Sequence, residues 1–249
     1  MFKKLLNIAL FVLMVAVIIS SLAFSSGKLS KVMCNELKVI IPDGSPRFID
    51  EEEITRLIRK ADGKLLEKQL NAINTEALEV QLEKTPAIKN AEVFRHVTGD
   101  RLDFNGKLVV EVHQRDPLFR VINGNSDFYM DDEGVSIPAN PKFTAHVLLV
   151  TGKAGENYAR EKVLPFVNYI EGDDFWKAQI RQVHVEADGE IILVPLIGDQ
   201  LIEFGEPVDY QEKLRNLKAL YEQGFEQTGW ARYKKISLKY KNQVVCTKK

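Results

Sequence analysis

PAIKNAEVFR (residues 86–95) and GKLVVEVHQRDP (residues 106–117) are two apolar segments on either side of a link rich in Gly, Asp and Asn. In the second, Leu108, Val110 and Val112 share one face of an extended chain, and Val109, Glu111 and His113 share the other. A period of two predicts a half-buried strand. Ala91, Val93 and Arg95 form a shorter alternation of the same kind. Thr98, Gly99, Asp100 and Arg101 are turn residues, and Asn105-Gly106 is a second turn pair. The simplest reading is an antiparallel strand pair joined by a loop. Pro117 ends it, because proline lacks the N–H that a ladder needs.

Working back from this pair, residues 37–41 (LKVII) read as a strand closed by Pro42, Asp43 and Gly44. A helix follows. Asp50 is its expected N-cap and Glu53 lies three residues on, as in a capping box. Ile54, Leu57, Ile58 and Ala61 give it one apolar face, and Gly63 stops it. Acidic residues 51–53 at its start and Arg56, Arg59 and Lys60 toward its end suit the helix dipole. A second helix is expected from Asn74 or Thr75, with Leu78 and Leu82 on its face, ending at Thr85-Pro86. The order from Leu37 to Gln114 is therefore strand, helix, helix, strand, strand.

Ahead of all this, Leu5 to Phe24 form a twenty-residue run without a charge. As a helix it is about 30 Å long, enough for a bilayer core. Lys3, Lys4 and the amino terminus favour a cytoplasmic N-terminus. The segment reads as an uncleaved anchor. The competing reading is a cleaved signal peptide with Ser21, Leu22 and Ala23 at the cleavage site, but the apolar run is longer than such peptides use.

Beyond Pro117, residues 118–122 and 127–130 predict strands parted by Asn123, Gly124 and Asn125, a hairpin signal. Residues 146–150 predict another strand. Asn157 to Ile170 predict a helix with Val163, Phe166, Val167 and Ile170 inward, and Pro165 predicts a kink or late start within it. Strands are expected at 180–186, 190–195 and 201–204, and a helix at Asp209 to Tyr221 with Tyr210, Leu214, Leu217 and Tyr221 on one side. Lys235 to Cys246 reads as one final strand, with Ile236, Leu238 and Tyr240 alternating against Ser237, Lys239 and Lys241. The fold class is α+β, a β-α-α-β-β unit followed by a mixed antiparallel β domain with flanking helices.

The net charge of −1 offers nothing to attract nucleic acid. Cys34 and Cys246 are far apart and in different predicted domains, so no disulfide is expected. His96, His113, His146 and His184 each stand alone, and no Cys-x-x-Cys or Gly-x-Ser-x-Gly is present. Asp131, Asp132, Glu133 and Gly134 lack the ligand spacing of a calcium loop. Asp173-Asp174 reads as a helix cap or solvated turn. No catalytic residue, metal or cofactor is expected, and the chain reads as a non-enzyme. The alternative is a membrane-anchored or secreted cell-envelope hydrolase without a recognised motif. What the chain does offer is sheet edges, which can accept a partner strand. From pattern alone, Lys239 and Lys241 read as charges that protect an edge, and Tyr240, Val244 and Val245 as ordinary core residues.

Pro86, Ala91, Val93 and Arg95, with Gly106, Leu108, Val110, Val112, Arg115 and Pro117, resemble the last two strands of a POTRA domain. Together with Phe128, Tyr129, Asp131, Gly134 and Pro138, and with Leu238-Lys239-Tyr240 near the end, they resemble the FtsQ/DivIB cell-division family. The resemblance implies a cytoplasmic tail at 1–4, a transmembrane helix at 5–24, a spacer at 25–35, a POTRA domain at 36–115 and an FtsQ-type β domain at 116–249. It implies a single-pass protein of the bacterial inner membrane at the division septum, with the bulk outside the cytoplasm. Its partners would be FtsB and FtsL, and through them FtsW and FtsI. It further implies strand addition at the C-terminal edge, with Tyr240, Asn242, Gln243 and Val244 as contacts. Residues 241–246 depart from the glycine- and alanine-containing version of that strand found in some members. A POTRA protein of outer-membrane assembly is a poorer match, because the residues after Asp131 are too few for a barrel and include helices.

Overall fold

The computed structural model describes residues 10–20, 32–100, 103–124, 126–225, 229 and 232–249. The chain divides into two compact units, one of Met1–Ser45 with Ile49–Gln114, the other of Pro46–Phe48 with Arg115–Lys249. Residues 10–20 form a helix, α1, whose apolar side chains are exposed, from Leu10 to Ile19. Among the described residues no helix is long and apolar enough to cross a membrane. The remainder of the expected span, the 1–4 tail and most of the 25–35 spacer lie outside the described residues.

The first unit runs β1 (Cys34–Ile40), α2 (Glu51–Ala61), two 3-10 turns, α3 (Thr75–Glu83), β2 (Ile88–Asp100) and β3 (Asp103–Gln114). The strand–helix–helix–strand–strand order read from periodicity is the order observed. The caps are where the side chains place them. Asp50 accepts the Glu53 N–H at 2.9 Å, and Asn74 accepts the Ala77 N–H at 3.0 Å. Ile54 and Ile58 of α2 and Leu78 and Leu82 of α3 are buried. The sheet order is β1-β3-β2, with β1 parallel and β2 antiparallel to β3. The central strand buries Leu108, Val110 and Val112 completely.

Two local expectations need correcting. The first strand starts at Cys34, three residues before Leu37, and Val32 and Cys34 are buried rather than part of a spacer. The link between β2 and β3 is also far shorter than its Gly, Asp and Asn content predicts. Thr98 pairs with Asn105, Gly99 with Phe104 and Gly106 with Val97, so these expected turn residues belong to strands, while Arg101 lies outside the described residues. Gly106 is required for a different reason. A Cβ there would lie 2.2 Å from the Met33 carbonyl oxygen, because β1 enters alongside it.

The second unit is a nine-stranded sheet in the order β12-β11-β10-β9-β8-β7-β4-β5-β6. Its strands are β4 (Phe119–Ile122), β5 (Asp127–Met130), β6 (Ser136–Pro138), β7 (Leu148–Gly152), β8 (Ile180–Val185), β9 (Ile191–Pro195), β10 (Leu201–Gly205), β11 (Tyr233–Ser237) and β12 (Val245–Lys248). The sheet is mixed, with parallel pairs β4–β7, β7–β8 and β10–β11 among antiparallel ones. Two of those parallel pairs span helical connections. Between β7 and β8 lie α4 (Glu156–Tyr158), a π-turn (Ala159–Val163), α5 (Leu164–Glu171) and α6 (Asp174–Gln179). Between β10 and β11 lies α7 (Tyr210–Ala219), with a second π-turn (Leu220–Gly224). A parallel pair needs such a crossover to return the chain to the same end of the sheet.

The kink expected at Pro165 is this first π-turn. Leu164 donates to the Ala159 carbonyl five residues back, and Pro165 then sits in the first turn of α5, where its missing N–H costs nothing. Phe166, Val167 and Ile170 of α5, Trp176 of α6 and Leu214 and Leu217 of α7 pack on the inward residues Val150, Val183, Leu193, Ile202 and Ile236 of the sheet. Asp173 caps α6, accepting from the Phe175 and Trp176 N–H groups.

Tyr221 lies in this core. Burial pushes its phenol up to about 12, partly offset by the Gln200 side chain. The unfolded chain ionises near the ordinary value of 10 and the folded chain does not. Stability from this group is therefore full below pH 10 and is lost as pH rises toward 12, by about 2–3 kcal/mol in total. Urea titrations between pH 9 and 12 should show a steeper alkaline loss for the parent than for Tyr221→Phe. Equal slopes would place the phenol in water.

The segment Phe128–Pro138 is organised by Asp131, which is 1 % exposed. Its carboxylate accepts the Glu133 and Val135 N–H groups at 3.1 and 2.7 Å and the Arg115 guanidinium at 2.7 Å. Gly134 closes this turn at φ +80°, beside Arg160. Tyr129 is fully buried, with its hydroxyl accepting the Ala145 N–H at 3.3 Å.

Candidate partner-binding edge

An open sheet has two ends, and each exposes unpaired backbone groups unless something covers or shortens it. The β6 end is closed by composition. The strand has three residues, and Pro138, paired with Phe128, has no N–H to offer. The β12 end is different. Among the described residues β12 pairs with β11 alone, and Val245, Thr247 and Lys248 are exposed.

The path of the chain into this edge corrects the expectation of one strand from Lys235 to Cys246. The chain forms a hairpin instead. β11 ends at Ser237, Leu238 continues far enough to donate to the Glu203 carbonyl of β10 at 2.8 Å, and the chain then turns. The Gln243 N–H donates to the Tyr240 carbonyl at 3.2 Å, and Asn242 adopts φ +58°. Asparagine tolerates that left-handed conformation better than most residues. Ile236 and Leu238 are buried, as their alternation predicts, but Tyr240 is 58 % exposed because the turn has begun. Tyr240, Asn242 and Gln243 are thus turn residues, and Val244 leads from the turn into β12.

Three of these four residues face one groove. Tyr240, Asn242 and Gln243 line a cavity of about 310 Å³ together with the loop after β10 and the first turns of α7. Val244 packs against the hydrophobic core instead. The far wall is held by Lys213. Its ammonium donates to the Phe204 and Glu206 carbonyls at 3.0 and 2.8 Å and lies 4.7 Å from the Phe204 ring centroid. Burial lowers its pKa, against the pull of Asp209, Glu206 and Glu190. Asp209, at the N-cap of α7, has φ +52°. Asp209 and Asn242 are the two non-glycine residues with positive φ among those described, and they line this same groove.

Ion pairs stitch the strands behind the turn. Lys239 pairs with Glu190, at the start of β9, and that bond raises the lysine pKa. Lys235 and Glu203 are 2.7 Å apart across the parallel β10–β11 pair, and the bond from Lys235 holds the Glu203 carboxyl below the usual carboxylate range. Lys239 is therefore tied to its own domain, while Lys241 remains at the exposed turn. The carboxylates of Glu186, Asp188 and Glu190 lie within 4.8 Å of one another, but Lys239 already supplies a countercharge there.

The other sequence candidates are dispersed. His113 lies 3.4 Å from Glu111 in the first unit, and His184 bonds Thr151 at 2.9 Å in the second. Both cysteines are free thiols. The loop 205–209 and Lys213 were not foreseen as part of any site. Only the parallel return of β11 beside β10 brings them to the final turn.

Two family models match the chain. One, described as FtsQ/DivIB, C-terminal related, covers residues 116–247, and the other, a POTRA-like domain, covers residues 32–100. A comparison with curated proteins finds no match. The first model spans more than half of the 249-residue chain and takes in the nine-stranded sheet as far as Thr247 of β12, with the groove beside it. The second takes in the strand–helix–helix–strand part of the first unit. The chain belongs to the FtsQ/DivIB family of cell-division proteins.

Proposed function

We propose that the protein is a single-span divisome scaffold that binds FtsB and FtsL through its extracytoplasmic part and, through them, regulates septal peptidoglycan synthesis by FtsW and FtsI. Leu5 to Phe24 anchor it in the bacterial inner membrane with the N-terminus inside. The mechanism is assembly, not catalysis. A partner segment adds as a further strand along β12, and Tyr240, Asn242, Gln243 and Val244 make contacts at the β11–β12 turn where that segment begins or ends.

The observation that carries this reading is the asymmetry of the sheet. One end is shortened and carries Pro138, while the other leaves β12 unpaired on its outer side. Main-chain bonds along such an edge provide affinity, and flanking side chains provide selectivity. The groove beside the turn is apolar at Tyr240 and polar at Asn242 and Gln243, a mixture suited to reading side chains next to an added strand.

A photo-crosslinking residue at Thr247 and, separately, at Val244 in dividing cells tests it. A small single-span coiled-coil protein should be captured from both positions, and Tyr240→Asp should reduce capture at least tenfold while leaving the thermal melt of the purified protein unchanged. Absence of any adduct at both positions, with normal division after depletion, would sink the proposal.

A further inference from the structure

In the first unit β2 is one of the two edge strands, in the order β1-β3-β2, and two of its amides are occupied by side chains. The Val93 N–H donates to Glu79 at 2.8 Å, and the Ala91 N–H donates to Glu83 at 3.2 Å. One step further along the strand, the Arg95 guanidinium donates to the Ile73 carbonyl at 2.7 Å. Every second residue from Ala91 to Arg95 is thus tied to α3 or to the turn that leads into it.

The spacing explains how a helix can do this. Residues four apart on a helix rise about 6 Å, and residues two apart on a strand rise about 6.6–6.8 Å. Glu79 and Glu83 are one turn apart on α3, and Ala91 and Val93 are one strand repeat apart on β2. The two carboxylates therefore stand about where successive carbonyls of a neighbouring strand would stand. Neither is needed to hold α3 on the sheet by apolar contact, which Leu78 and Leu82 provide. Their orientation toward the strand satisfies two amides that water would otherwise bind.

We infer that Glu79 and Glu83 form a built-in edge lock that keeps β2 from pairing with a second copy of this chain. An edge whose N–H groups already donate to charged acceptors gains nothing from an incoming strand until those bonds are broken. The lock covers the Ala91 and Val93 amides, and the Arg95 side chain ties the same strand to the turn before α3. Its loss frees two amides on a long strand, thirteen residues from Ile88 to Asp100, with Phe94 47 % exposed on it. Such a strand is prone to self-pairing.

The test uses the full-length chain in detergent micelles. E79A/E83A is compared with E79Q/E83Q, which keeps an acceptor oxygen at both positions. Hydrogen exchange of the peptide covering Ile88–Val97 and light scattering across a hundredfold range of concentration are the readouts. E79A/E83A should exchange at least tenfold faster over Ala91–Val93 and should form dimers as concentration rises. E79Q/E83Q should behave as the parent. Unchanged exchange in E79A/E83A would overturn the inference, and so would fast exchange in a protein that stays monomeric throughout. If the double variant does not fold, E79A alone decides on the same two readouts, because Glu83 still holds Ala91.

Discussion

Asp131→Ala should lower the stability of the nine-stranded unit by about 3–5 kcal/mol, the cost of leaving one partner of a buried ion pair unmatched. Asp131 is 1 % exposed, and the Arg115 side chain is 15 % exposed. Arg115 also reaches Glu133 at 2.7 Å, but that carboxylate is half exposed and its attraction is screened. Removing Asp131 additionally leaves the Glu133 and Val135 N–H groups without their acceptor. Both amides are only partly buried, so orphaning them costs less than the roughly 1–3 kcal/mol of a buried one. Asp131→Asn retains an acceptor for the turn while losing the charge, so its loss should be smaller, about 1–2 kcal/mol. Urea unfolding followed by circular dichroism measures both. A loss under about 1 kcal/mol for Asp131→Ala would mean that Glu133 takes over the guanidinium.

Trp176→Ala should cost a comparable amount, about 3–5 kcal/mol, for a different reason. Trp176 is 1 % exposed and meets Phe175 edge to face at 4.9 Å and Tyr221 at 6.0 Å. Its helix, α6, has only six residues, too few to hold together in isolation. The Asp173 cap orients the first turn, but the indole supplies the burial that docks it. Truncation removes that burial and leaves a cavity in a core that cannot fully collapse, since β8 follows directly at Ile180. Thermal unfolding should show the loss, and Trp176→Phe should recover about half of it. If the alanine variant unfolds within a degree or two of the parent, α6 is peripheral to the core.

Much of the fold was legible because its determinants are local. Asp50 and Asn74 cap helices by bonding backbone groups three residues away. Ile54 with Ile58, and Leu108 with Val110 and Val112, mark buried faces by spacing alone. Pro165 forced a distortion within one turn of itself, and a π-turn is there. Of the two readings of Asp173-Asp174, helix cap or solvated turn, the cap is the one observed, at Asp173. The Phe128–Pro138 pattern carries an Asp that holds its own turn.

The candidate edge was less legible. Alternation from Ile236 through Leu238 to Tyr240 continues without a glycine or proline to mark the reversal, and Asn242 makes the turn instead. In the other direction, Gly99, Asn105 and Gly106 advertise turns and lie in strands, because Gly106 is set by its approach to Met33, more than seventy residues earlier. The sequence by itself determined the element order of the first unit, the helix caps and most of the inward faces, since each rests on residues within a few positions of one another. Only the tertiary structure decided that β12 ends the sheet, that Pro138 closes the opposite end, that Glu79 and Glu83 cover β2, and that Lys213 and Asp209 face Tyr240 across a groove. Those facts depend on which strands lie side by side, and strand order is selected by apolar faces meeting across long stretches of chain, where local spacing holds no information.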